Sequence, residues 1–315
     1  MKPQERLGLV AVALASVVGM GITLTRPFEA PTALPERSWE DPQVASLAAL
    51  VDKRFGRADA PRLPAAFDGV ATGDVAAGRA SYLVQCLHCH GADGHADTYT
   101  ARLLTPAPRD FSHGVVKFTR TASDLPAQQA DLERTLERGL DSTAMSSFAN
   151  LPEEERRDLA AYVMHLLVRG AVFEEARGRL DQASPAEALA AAEAAEAGRW
   201  QAAAAADPEP PARPQLMDAA AGARLYASAG CFACHGEDGR GMVGDVTLSL
   251  GDRWGGTSRV RDLREGPLLG GGDAVDLYWR IRSGIKGGPM PATESQLSPE
   301  ETWALVAHLQ SLRTR

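Results

Sequence analysis

Apolar positions recur with a helical period in several stretches of the chain. In PEEERRDLAAYVMHLLVRG (152–170), Leu159, Tyr162, Val163 and Leu166 step by three and four residues and form one stripe. In SPEETWALVAHLQSLR (298–313), Trp303, Val306, Ala307 and Gln310 follow similar steps, and Leu305 and Leu309 widen the face. Ser298, Pro299 and Glu301 supply a capping box for that helix, as Ser184, Pro185 and Glu187 do for SPAEALAAAEAAEAGRWQAAAAA (184–206). A shorter helix is predicted after Asp41, with Pro42 at its first position and Val44, Leu47, Leu50 and Val51 as an apolar stripe that would pack against the next domain. Few runs alternate β-branched and polar residues, so the pattern predicts an all-α fold with long glycine-rich loops.

An internal repeat organises these elements. AAGRASYLVQCLHCHGADG (76–94) matches AAGARLYASAGCFACHGEDG (220–239), with one residue inserted before the cysteines. Each copy opens with a helix that carries a glycine and, four residues on, a tyrosine: Gly78 with Tyr82, and Gly222 with Tyr226. That spacing puts the pair on one face, as a close helix crossing needs. Each copy ends in one of the striped helices. Two compact units are therefore expected, at 73–169 and 216–315. Residues 170–215 form an Ala-rich helical linker closed by PEPPARP (208–214). Residues 26–72, with prolines at 27, 31, 35, 42, 61 and 64, suit an extended spacer. Trp200 is the one large apolar side chain of the linker helix and a candidate to dock on a domain.

Residues 7–24 form an uncharged apolar run of 18 residues, about 27 Å long as a helix. It follows Lys2 and Arg6, and no A-x-A cleavage site comes after it. Residues 1–25 thus read as an uncleaved signal anchor that leaves the rest of the chain on the extracytoplasmic side. A cleaved signal peptide would export the chain equally. The net charge of −8 argues against a nucleic-acid partner, since phosphate binding needs a basic surface.

All four cysteines, Cys86, Cys89, Cys231 and Cys234, lie in two C-x-x-C-H pentads, which leaves none for a disulfide, a nucleophile or an axial thiolate. Each pentad could be a zinc half-site, a redox dithiol or a haem anchor. A structural zinc site usually takes four ligands, and no second cysteine pair accompanies either pentad. A thioredoxin-like dithiol prefers a βαβ context and gives no reason for the histidine. Covalent haem explains all three residues: two thioethers from the cysteines, and an axial ligand from His90 or His235.

The opposite axial position separates electron carriers from haem enzymes. Met145 lies 55 residues after His90, and Met290 lies 55 after His235. Both sit in small-residue loops before the closing helix and are the expected sixth ligands. Met164 reads as core and Met242 as loop packing. His95 and His113 are weaker rivals at the first site, His88 points away, and His165 and His308 belong to helices. In LLTPAPRDF, Pro106, Pro108 and Arg109 are candidates to support the first site. A backbone carbonyl there would accept from Nδ1–H of His90, and Arg109 would meet a haem propionate.

With these residues in place, each unit resembles a class I c-type cytochrome domain. The resemblance rests on Gly78/Tyr82 and Gly222/Tyr226, the two C-x-x-C-H-G motifs, the Met145 and Met290 loops, and closing helices with Tyr162 and Trp303. It covers about 73–169 and 216–315, and implies helices wrapped around one haem c per unit, with a haem edge exposed. PRDFSHGVVKFTRT (108–121) is similar to a stretch of membrane-anchored multi-haem electron-transfer subunits of bacterial respiratory complexes. One departure is that no proline lies between His235 and Pro267, so the partner of His235 Nδ1 is not evident.

Together these features predict a membrane-anchored dihaem carrier that moves electrons between redox protein partners, its domains sweeping on long spacers. A fixed subunit of a larger membrane complex fits as well. The enzyme alternative is a dihaem peroxidase, which needs an open or displaceable distal position. A dihaem enzyme with a distal cysteine ligand is excluded, because no cysteine is spare. In a denaturing gel stained for covalent haem, the wild-type chain should stain, the variant with Cys86 and Cys89 both changed to Ala should retain about half the stain, and the variant lacking all four cysteines should lose it.

Overall fold

The computed structural model describes residues 41–57, 59–215 and 217–313. Its α-helices are α1 (Pro42–Phe55), α2 (Val75–Gln85), α3 (Leu87–His90), α4 (Tyr99–Leu103), α5 (Gln129–Arg138), α6 (Glu153–Arg177), α7 (Pro185–Ala205), α8 (Ala219–Ser228), α9 (Phe232–His235), α10 (Ala274–Ser283) and α11 (Pro299–Arg313). Two short antiparallel hairpins pair β1 (Met242–Val243) with β2 (Val246–Thr247), and β3 (Ser249–Gly251) with β4 (Thr257–Arg259). The all-α expectation is corrected to this extent. Strands of two or three residues carry no readable alternation, and only the Gly244–Asp245 turn hints at the first hairpin.

One helix crossing builds each unit. Asp74 caps α2 through Ala76 N and Ala77 N, and Gly78 then lies so close to α6 that a Cβ there would collide with the Asp158 carbonyl. Gly222 of α8 meets the Ala304 carbonyl of α11 in the same way. One turn on, Tyr82 packs edge-on against Tyr162 at 5.0 Å, and Tyr226 against His308 at 5.4 Å. The counterpart of Tyr162 is therefore His308, and Trp303 instead packs on Tyr278 of α10 at 4.7 Å.

The helix predicted after Asp41 packs on the next domain as expected, while the proline-rich and alanine-rich stretches read as spacer and linker are held more closely than expected. Val44, Leu47, Val51 and Phe55 of α1, then Phe67 and Val70, are buried in the first core. Helix α6 runs unbroken past residue 169, and α7 folds back along it. Trp200 is 1% exposed and donates to Glu196 Oε2 at 3.0 Å, and Arg54 clamps Glu193 with two bonds of 2.8 and 2.5 Å. Burying an aromatic of this size is worth roughly 3–5 kcal/mol, enough to hold a spacer-like sequence in place. The proline stretch is tied down too: the indoles of Trp279 and Trp303 donate to the Pro208 and Pro211 carbonyls at 2.8 and 2.9 Å. Alanine-rich and proline-rich composition suggested exposure, and a few large side chains reverse it.

The units also dock on each other, mainly through residues 109–125. Asp276 receives Arg120 and Arg138, each at 2.9 Å, and Asp252 receives Lys117 at 3.1 Å. Lys286 donates to Thr121 Oγ1 at 2.6 Å, and Gly270 lies flat against the Phe118 ring. Among the described residues no helix is long and apolar enough to cross a membrane, and the anchor expected at 1–25 lies outside them.

His165 of α6 is fully buried, with Nε2 on the Phe55 carbonyl at 2.9 Å and Nδ1 without a partner. Burial pulls its pKa down to about 4, against the opposing pull of that carbonyl, with nearby Arg169 adding to the drop. The unfolded chain thus binds the proton first. Stability is fully present above pH 6.5 and should fall by about 3 kcal/mol as pH drops from 6.5 to 4. Denaturant titrations across that range should show His165→Gln losing this component while the general acid sensitivity remains.

Candidate haem sites

Each pentad forms one helical turn. His90 N donates to the Cys86 carbonyl at 2.9 Å, and His235 N to the Cys231 carbonyl at 3.0 Å. The turn stops at Gly91 or Gly236, both at φ +75°. The tyrosine below then fixes it: Tyr82 Oη donates to the Gly91 carbonyl at 2.9 Å, and Tyr226 Oη to the Gly236 carbonyl at 2.7 Å. The crossing at Gly78 or Gly222 thereby sets the orientation of each pentad.

Behind each histidine runs a loop strand. Phe111 N bonds the Gly94 carbonyl, and Leu263 N bonds the Gly239 carbonyl, both at 2.7 Å. Two residues before each lies the carbonyl that faces the imidazole. Arg109 O accepts from His90 Nδ1 at 2.9 Å, while Phe111 stacks on the His90 ring at 4.7 Å. His235 Nδ1 is buried without a fully formed hydrogen bond, and the carbonyl facing it, from the equivalent position, is that of Arg261. Proline is therefore not needed for the second site. Of the residues expected to support the first, Arg109 acts through its backbone, while Pro106 is exposed and Pro108 half-buried. The Arg109 side chain, expected at a propionate, lies over the Trp254 ring at 3.5 Å.

The electrostatics favour neutral ligands. Burial lowers the pKa of His90 and of His235, outweighing the carbonyl facing each. No disulfide joins any of the four cysteines. Burial, with Cys89 alongside, pushes the Cys86 thiol up to about 12, and burial also raises Cys89 and Cys231. A redox dithiol works through a depressed thiol pKa, so this environment does not suit one.

Met145 and Met290 occupy matching loops. Helix α5 ends at Gly139, φ +72°, and Leu140 N then donates to the Met145 carbonyl at 2.9 Å. Helix α10 ends at Gly284, φ +69°, and Ile285 N donates to the Met290 carbonyl at 3.0 Å. Each glycine stands against its methionine's carbonyl, where a Cβ would collide. The equal 55-residue separation conceals two compensating changes. The loop behind the histidine is seven residues longer in the second unit, which accommodates the hairpins, and the next segment is seven shorter. The glycine six residues before each methionine is the better signal, and sequence reasoning missed it. Met164 is core, Met242 lies in β1, and His95 and His113 sit half-buried beside Asp93 and Asp110.

Residues 73–163 match the family described as cytochrome c oxidase, cbb3-type, subunit III, and residues 219–313 match the family described as cytochrome c. The chain is a tandem c-type cytochrome. Over 91 residues, or 29% of its length, the cytochrome is 35% identical to the cbb3-type cytochrome c oxidase subunit FixP of Azorhizobium caulinodans. That match spans about a quarter of the relative, 26%. The cytochrome also resembles a chain of the reducing HAO-like protein complex of Kuenenia stuttgartiensis, at 27% identity and a TM-score of 0.57 over 78% of this chain and 98% of that one.

The residues present fit haem c. Each pentad offers two thiols and an imidazole on one turn, with the imidazole Nδ1 turned to a backbone carbonyl and Nε2 left for iron. Such a carbonyl fixes ring orientation and raises ligand basicity. Because the tyrosine brace is the same in both units, Tyr82→Phe and Tyr226→Phe should each lower the stability of their own domain by about 1–2 kcal/mol. Domain-resolved chemical denaturation of the two variants would read this directly.

Proposed function

We propose that this cytochrome relays single electrons between redox proteins on the extracytoplasmic face of the cytoplasmic membrane. Its haems would be held by Cys86, Cys89 and His90 and by Cys231, Cys234 and His235, with Met145 and Met290 as sixth ligands. Residues 1–25 would tether it. The observation that carries this is the pair of matched loops, in which a left-handed glycine turns the chain back so that Met145 and Met290 take equivalent positions. Haem c supplies a one-electron couple when bound. A methionine opposite a histidine fills both axial positions and leaves no site for substrate, which favours outer-sphere transfer over chemistry at the iron.

The relatives support a place beside a membrane complex: one is named as an oxidase subunit, the other belongs to a named protein complex. Docked domains and packed linkers favour two haems moving as one body over two domains sweeping independently. The peroxidase alternative would need one of the two methionines to leave its loop.

The test is optical and redox spectroscopy of the purified protein. Met145→Ala and Met290→Ala should each remove one methionine–iron charge-transfer band and lower one of two midpoint potentials. A wild-type protein with a high-spin haem that turns over peroxide would overturn the proposal.

A further inference from the structure

The docked domains bring the proximal side of the first site against the methionine loop of the second, and one residue fills the gap. Trp254 stands in the turn between β3 and β4, held by its backbone N–H to Asp252 Oδ1 at 3.1 Å. Its indole N–H reaches into the first domain and donates to the Asp110 carbonyl at 3.2 Å. The neighbouring carbonyl, that of Arg109, is the one that holds His90 Nδ1 at 2.9 Å. The Arg109 guanidinium also covers the indole at 3.5 Å, and the Lys117 ammonium lies 5.4 Å from the same ring. On the far side, the benzo edge of the indole rests on Gly287 so closely that a Cβ there would collide with Cη2 and Cζ3. Arg253 N clasps the Gly287 carbonyl at 2.8 Å. Gly287 belongs to the tight loop that Ile285 N closes on the Met290 carbonyl.

From these contacts we infer that Trp254 is the electronic bridge between the two haem sites. The route runs from His90 through the Arg109 carbonyl and the Arg109–Asp110 peptide, across the indole, and through Gly287 to Met290. Only two hydrogen bonds and one van der Waals contact interrupt covalent structure. The inference rests on the proposed ligation for its two ends. In the transfer itself one iron goes from ferrous to ferric and the other from ferric to ferrous. No bond or proton changes, and Trp254 is not itself oxidised.

Trp254 therefore acts as a bridge on the route, and its contribution is read in the rate of exchange between the haems. The holoprotein, as purified, is given one electron by flash photoreduction with a flavin sensitiser. Redistribution between the two ferric signals is then followed by rapid-freeze electron paramagnetic resonance. Trp254→Ala should slow redistribution by an order of magnitude or more. Trp254→Phe, which keeps a ring on Gly287 but loses the bond to Asp110, should slow it by a smaller factor. Visible spectra, both midpoint potentials and the radius of gyration should stay at wild-type values in both variants. The inference is overturned if redistribution is as fast in Trp254→Ala as in the wild type. It is equally overturned if slowing comes only with an enlarged radius of gyration and is matched by Asp276→Asn, which weakens the docking without touching the indole. Failure of the His/Met ligation would instead show in the wild-type spectra alone, before any variant is made.

Discussion

Backbone-to-backbone contact between two helices is the constraint on which each unit depends. Where Gly78 meets the Asp158 carbonyl, no side chain separates α2 from α6, and the crossing has little freedom to slide. Tyr82 is delivered by the same helix one turn later, and its hydroxyl sets the end of the pentad turn. The imidazole that follows has one direction left to face, towards the loop strand whose carbonyl receives it. The second unit repeats this sequence of constraints from Gly222 to Arg261, with a weaker last contact. Ligand geometry is thus prepared by packing several residues away from the histidine.

Local features of both sites were legible in the sequence because they depend on neighbours along the chain. The pentads, the glycine–tyrosine pairs and the capping box at Ser184 are all short-range patterns, and a helix turn fixes their geometry. The methionine loops were found by counting, yet their equivalence rests on a glycine cap that no periodicity reveals. What composition obscured was long-range. Helix α7 looked like tether because it is short of large apolar residues, but Trp200 is enough to seat it, whereas the apolar stripe of α1 already pointed to packing on the next domain. The hairpins and the docking surface were hidden for a related reason. Arg120, Lys117 and Asp276 are ordinary charged residues in sequence, and only the fold brings them together.

PRDFSHGVVKFTRT illustrates how one segment serves two purposes. Its first residues hold His90, and its later residues carry the ion pairs to the second domain. A proximal ligand and a domain interface therefore share one short piece of backbone. Paired charges with little exposure discriminate strongly against other arrangements, since separating them leaves a buried charge alone.

The docking surface is also unlike on its two sides. Asp276 and its counterpart Asp131 occupy the same place in related helices, yet Asp276 takes arginines from the other domain while Asp131 turns to Arg134 of its own. Among the described residues, the β3–β4 hairpin that carries Trp254 has no counterpart in the first unit. Two related domains joined through non-equivalent faces cannot be exchanged by a rotation, so the molecule has a front and a back. A protein approaching the first domain meets a different surface from one approaching the second, and polarity is built into the fold before any partner is chosen.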